Sequence, residues 1–235
     1  MMKAAPWPVT ALFLVSLGLN LWLAGAPGWL WIPAAFAAWY IADALSGLTH
    51  MFMDYRPCTP GVGLNQLYFY EGSRESADYL ALRDSVWRTI GPFEKLVYDF
   101  KNHHPRPEAL GRRPMLVQIG STIIFFALPA SALLNAVAWA AEMPGSLTFG
   151  LVVLIIGGTF AQYFHGTLHR EDNPPAVRFM RATGLLMTPQ AHQLHHDTLT
   201  RDFATNNGWS NPLINRLFNL AIRRRWLTEA GLTPQ

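Results

Sequence analysis

MPGSLTFGLVVLIIGGTFAQYFHGTLH, Met143–His169, holds no Lys, Arg, Asp or Glu and closes on two histidines four residues apart. A run of this length crosses a bilayer core of about 30 Å as an α-helix. Two further blocks are equally free of charge, Ala4–Ala42 and Pro114–Ala141. The first is long enough to cross twice, because Gly25-Ala26-Pro27-Gly28 supplies a turn in its middle. The sequence therefore predicts an all-α integral membrane protein, a single domain over residues 1–235. Its four transmembrane helices, at about Pro8–Ala24, Trp29–Leu48, Met115–Ala138 and Leu147–His165, form two hairpins. Segments 49–113 and 166–235 form a helical cap. Composition agrees: 51% of the 235 residues are hydrophobic and 14% charged, where soluble proteins carry about a quarter charged residues.

Charge placement orients the spans. The turn between the first two carries no charge and the turn near Pro144-Gly145 carries only Glu142. Every Lys and Arg lies on the other side, from Lys3 through Arg56, Arg83, Arg112 and Arg113 to Arg223-Arg224-Arg225. The positive-inside rule then puts both termini and the cap in the cytosol, in a bacterial inner membrane or the endoplasmic reticulum. Lys3, the apolar run and Ala24-Gly25-Ala26 also resemble a cleavable signal peptide, but a retained hairpin explains them equally well. The basic run at 223–225 fits anionic lipid better than nucleic acid. Cys58 is the one cysteine, so neither an intrachain disulfide nor a thiolate metal cage is available.

Within the cap, Ala77–Phe100 reads as helical with a break at Gly91-Pro92, its apolar residues recurring at spacings of three and four. Asn211–Leu227 reads as an amphipathic helix with Leu213, Ile214, Leu217, Phe218 and Ala221 on one face. It suits a bilayer surface or packing on the core.

All eight histidines fall into four clusters. His50 stands four residues before Asp54, on one helix face at the end of the second span. His103-His104 precede the third span. His165 and His169 form another i, i+4 pair at the end of the fourth. His192, His195 and His196 converge if their segment is helical. The topology derived from hydropathy alone brings all four clusters to the same membrane face. Imidazole suits Fe, Zn and Cu. Eight nitrogens exceed the needs of one tetrahedral zinc and suit two metals with open positions for O₂ chemistry. Single-zinc hydrolysis lacks its His-Glu-x-x-His sequence. Asp54 is a ligand or orients one. Asp99, Asn102, Gln162 and Gln190 are candidates for supporting hydrogen bonds. No Gly-x-Gly-x-x-Gly loop or haem attachment sequence is present, so the electrons must come from another protein.

These clusters, with Ser46-Gly47-Leu48-Thr49-His50, His103-His104-Pro105, Gln162-Tyr163-Phe164-His165 and Thr188-Pro189-Gln190-Ala191-His192-Gln193-Leu194-His195-His196, resemble the plasmanylethanolamine desaturase family of Kua or CarF-type lipid desaturases. Asn206-Asn207-Gly208-Trp209-Ser210-Asn211-Pro212 is similar to the family's closing segment. Met51 departs from the family's Trp, and Phe100 stands where broader membrane desaturases carry a further His. The resemblance implies two Fe ions, O₂ as co-substrate, a phospholipid substrate, and an external electron donor of cytochrome b5 or ferredoxin type. The metal ligands would be His50, Asp54, His103, His104, His165, His169, His192, His195 and His196, and the eight histidines would be the catalytic set. One branch of the family converts an alkyl ether to the vinyl ether of a plasmalogen, and another desaturates a phospholipid-bound acyl chain. A lipid hydroxylase with the same centre is an alternative, and a non-catalytic metal-binding membrane protein a more distant one. The substrate chain is expected to reach the metals between the spans that end at His50 and His165. Arg170 and Arg201 are candidates for its phosphate.

Overall fold

The computed structural model describes residues 5–235, which form helices joined by loops, with no strand. Lys3 lies outside the described residues. Helix α1 (Trp7–Ala24) has Pro8 in its first turn and ends at Gly25, whose φ of 75° reverses the chain. Helix α2 runs Trp31–Tyr55. After α7 (Met115–Thr122), a wide π turn at Ile123–Ala127 leads straight into α8 (Leu128–Ala140). Pro129 cannot donate to the carbonyl four residues back, and the widened turn accommodates that missing bond. Helix α9 is Gly145–Leu168. Three of these stretches are long and apolar enough to cross a membrane: Trp7–Ala24, Met115–Ala140 and Gly145–Leu168. Helix α2 has the length, but its buried stripe includes the polar residues Asp43, His50 and Asp54.

Of the two expected hairpins only the second packs as one, α9 lying against α7 and α8. Helices α1 and α2 are hardly in contact: α1 lies against α8 and α9, and α2 lies against α9. Small residues explain the choice. A Cβ on Gly150 would meet the Ala34 carbonyl at 3.3 Å, and one on Gly157 would meet Ala42 Cβ at 2.7 Å. Backbones this close gain van der Waals contact that larger side chains would forbid. The two helices therefore run parallel, Ala34 beside Gly150 and Ala42 beside Gly157, so that His50 and His165 arrive at the same level. On the other side, α1 and α8 are tied by Asn20, whose amide donates to Ser131 O at 3.0 Å and Ser131 Oγ at 2.8 Å.

Over the histidine end lie α3 (Leu64–Tyr68), α4 (Ala77–Thr89), α5 (Pro92–His103) and α6 (Glu108–Gly111). Ser76 caps α4 by accepting from Tyr79 N at 3.2 Å. Leu64, Leu67, Tyr79, Val86, Val97 and Tyr98 bury a satellite core beneath them. The chain continues through α10 (Pro175–Ala182), α11 (Pro189–Thr198) and α12 (Asn211–Arg223). Thr188 caps α11 through Ala191 N at 3.3 Å. The face expected of α12 is split: Ile214, Phe218 and Ala221 are buried, with Ile214 and Phe218 packed against Tyr55 and Phe203, while Leu213 and Leu217 face outward. Hydrophobicity fixed the helix but not which apolar residues the protein covers.

Gly157→Leu tests the α2–α9 contact. Overpacking costs about 1–3 kcal/mol, and the purified variant should melt at lower temperature with reduced metal binding. An unchanged melting temperature would show that the helices do not need this approach.

Candidate metal centre

The four helix ends carry their histidines into two abutting groups, and the division follows helix geometry. Successive helical residues point about 100° apart, so neighbours cannot serve one site. His103 and His104 at the end of α5 accordingly go to different groups. On α11, His192 and His196 join one group and His195 the other. The first group is His103, His165, His169, His192 and His196; the second is His50, Asp54, His104 and His195. In each, one candidate ligand atom per residue lies within 4.8 Å of all the others. Two ligands about 2.1 Å from one metal stand between about 3.0 Å and about 4.2 Å apart, and the closest pairs in each group, at 3.0–3.3 Å, already lie in that range. All nine residues named from the sequence are thus brought together, though the α11 histidines are divided rather than converging on one point.

Tautomers decide what the groups can do. His50 Nδ1 donates to Phe203 O at 2.9 Å and His195 Nδ1 to Arg201 O at 2.8 Å. His103 Nδ1 is bonded to Phe100 O. A carbonyl only accepts, so each neutral ring carries its proton on Nδ1 and presents a bare lone pair at Nε2. The Nε2 atoms of His50, His103, His169 and His195 are buried without a hydrogen-bond partner, as is Asp54 Oδ2. That carboxylate oxygen stands 3.3 Å from His50 Nε2 and 3.3 Å from His195 Nε2, while Asp54 Oδ1 is 3.0 Å from His104 Nε2. In the other group, His192 Nε2 lies 3.1 Å from His165 Nε2 and 3.2 Å from His196 Nε2. One shared proton cannot satisfy three converging nitrogens. Acceptors gathered on acceptors in a dry pocket are the arrangement a cation resolves. The residues present therefore fit metal ions.

Burial keeps the imidazoles in their ligating form. It pushes His103 and His192 well below the ordinary histidine value, His169 down to about 4 and His196 to about 2, with neighbouring histidines adding to the effect.

Several supporting residues were not legible as such. Lys101 is fully buried and donates to Met53 O at 2.9 Å and Asp54 O at 2.5 Å, capping the end of α2 beneath the carboxylate. Burial lowers it to about 8. The signal was a lysine four residues after Val97 on the apolar stripe of α5. Asp99 does not touch a ligand; it pairs with Arg113 at 3.4 Å. Asn102 accepts from Arg74 and Arg106, and Gln190 is exposed. Gln162 lines a cavity of about 20 Å³, with Asp99, Phe100, Asn102, His103 and His165 also on its wall. It has room for about one water beside two ligands. Arg170 is held by Tyr163 OH and Asn173, and Arg201 by Asp202.

The model of the lipid desaturase domain family matches residues 89–224, more than half of the chain. The chain belongs to this family, the Kua or CarF-type lipid desaturases. The matched part of the lipid desaturase contains seven of the eight histidines. His50 and Asp54 lie outside it, and the fold supplies them to the same centre. No curated protein and no solved structure matches the chain. Family membership makes the protein a desaturase-type oxidoreductase acting on lipid in a membrane.

The depressed values predict a pH dependence. An imidazole whose folded value lies below its unfolded value of about 6.5 lends stability that is complete above that pH and drains away below it. The metal-free protein should lose melting temperature as pH falls from about 6.5 towards 4, the window set by His169. A flat profile across that range would contradict the buried, neutral assignment.

Proposed function

We propose that two iron ions occupy the two groups, and that the enzyme uses O₂ with external electrons to convert the alkyl ether chain of a phospholipid, of plasmanylethanolamine type, to the vinyl ether of a plasmalogen. The observation that carries this reading is the pair of abutting, buried ligand sets, rich in imidazole and free of sulfur, in a member of a lipid desaturase family. The ether chain loses two hydrogens from adjacent carbons. O₂ takes these with two electrons from a donor of cytochrome b5 or ferredoxin type and two protons from solution, leaving as two waters. Iron would supply the O₂ activation needed to break an unactivated C–H bond.

The chain's own residues orient and protect that chemistry. Phe203, Arg201 and Phe100 carbonyls hold three rings in the ligating tautomer. Burial of His50, His165, His192 and His195 excludes bulk water, which guards a reactive centre from side reactions. In this reading α2 is the fourth span and the histidine end is cytosolic. Helix α9 rises about 30 Å from Gly145 to His165, which sets the centre at the membrane interface, where a lipid headgroup lies while its chain remains in the bilayer. The Lys and Arg residues of 56–113 and 170–225 then share the cytosolic side.

Lipid analysis of a desaturase-null host expressing the wild type beside His195→Ala tests the reading. New vinyl-ether phospholipid should accumulate with the wild type and fall to the host background with the variant. A product carrying an oxygen atom from ¹⁸O₂ would replace desaturation by hydroxylation, and a new double bond in an acyl chain would move the substrate to the other branch.

A further inference from the structure

Asp43 is fully buried in α2, two turns before His50 and on the same face. Among the described residues it makes no ion pair. Its charge is met instead by four donors from one short segment. Oδ1 accepts from Asn207 N at 2.8 Å and Gly208 N at 3.0 Å; Oδ2 accepts from Ser210 N at 2.9 Å and Ser210 Oγ at 2.6 Å. Backbone amides converging on a carboxylate are the strong kind of hydrogen bond. Gly208 sits in this turn with φ of 78°, where a side chain would be strained.

This turn is the lower end of a strap, Arg201–Ser210, laid along α2. Ala204 rests on Gly47, where an added Cβ would come within 3.0 Å. Thr205 N donates to Ser46 Oγ at 3.1 Å, and Asn206 Nδ2 reaches Gly157 O at 3.3 Å. The upper end of the same strap supplies the two carbonyls that hold His50 and His195, Phe203 O and Arg201 O. Gly157 lies about 12 Å before His165 along α9, in the middle of a membrane-crossing stretch. Non-helical backbone at that depth has no water to fall back on and must be satisfied by protein.

We propose that Asp43 is a positioning residue for the metal centre: by anchoring the strap, it sets the tautomer and orientation of His50 and His195 and thereby the affinity of the group they form with Asp54 and His104. No ring of the other group is hydrogen-bonded to the strap; the strap meets its helices only away from the rings, through Asn206 Nδ2 to Gly157 O on α9 and Met187 N to Asn206 O at 2.8 Å before α11. Asp43 therefore acts more strongly on the metal of the His50 group than on the other. This rests on the two-metal reading above.

The test is titration of Co²⁺ into the metal-free full-length protein, followed by its visible absorption and by metal analysis, for wild type and Asp43→Asn. Asparagine keeps the size of the side chain but offers one accepting oxygen and turns an NH₂ towards the remaining donors. Partners that orient a ligand are worth about 10–100-fold in metal affinity. Folded D43N should bind Co²⁺ at the His103 group nearly as the wild type does and at the His50 group at least about 10-fold more weakly, with the His50-group spectrum the one chiefly altered. His196→Ala, which cripples the other group, identifies which spectrum belongs to which. Two unchanged affinities in D43N would overturn the assignment, as would equal weakening of both sites. If D43N does not fold, Ser210→Ala decides: it removes one bond of four and leaves the packing. A several-fold loss at the His50 group alone supports the proposal, and two unchanged sites overturn it. A wild type that binds fewer than two Co²⁺ would end the two-metal reading itself, an outcome distinct from the failure of Asp43 alone.

Discussion

Asp54 Oδ2 stands 3.3 Å from His50 Nε2 and from His195 Nε2, and both rings have committed their one N–H to a backbone carbonyl. Three lone pairs facing one another in a buried pocket raise the free energy of the fold unless a positive charge lies among them. The second group repeats the condition around His192 Nε2. Much of the rest of the molecule serves to bring these acceptors together and keep water out.

That task explains the helix arrangement. Helices α2 and α9 run parallel on small-residue contacts, and each brings a histidine, His50 or His165, to the same level. Each then feeds one group. Helices α5 and α11 cross between the groups and feed both, because adjacent helical positions diverge and cannot serve one site. The centre is thereby a joint between four helices, and loosening any one of them changes the ligand geometry. Lys101 and Asp43 guard the two ends of the segment of α2 that carries His50, one by capping the carbonyls of Met53 and Asp54, the other by holding the strap two turns below.

What could be read from the sequence was whatever leaves a side-chain pattern. The uncharged blocks gave the long helices, and i, i+4 spacing gave the His50–Asp54 contact and the His165–His169 neighbourhood. Hydropathy and charge placed four histidine clusters at one face before any geometry was available. What could not be read depends on backbone. Carbonyls of Phe203 and Arg201 fix two tautomers, yet any residue could offer a carbonyl there. Asp43 shows no local partner pattern in the sequence, because the amides it accepts from lie 164–167 positions away. The pairing of α2 with α9 rather than α1 follows from contacts between Gly157 and Ala42 that no single helix announces. For α12, apolar periodicity marked the helix but could not distinguish Ile214 and Phe218, covered by protein, from Leu213 and Leu217, which are not.

The most direct measurement is anomalous X-ray diffraction at the iron edge from crystals of the iron-loaded protein. The account predicts two iron peaks per chain, one enclosed by His103, His165, His169, His192 and His196, the other by His50, Asp54, His104 and His195. A single peak, or iron bound away from these side chains, would contradict it.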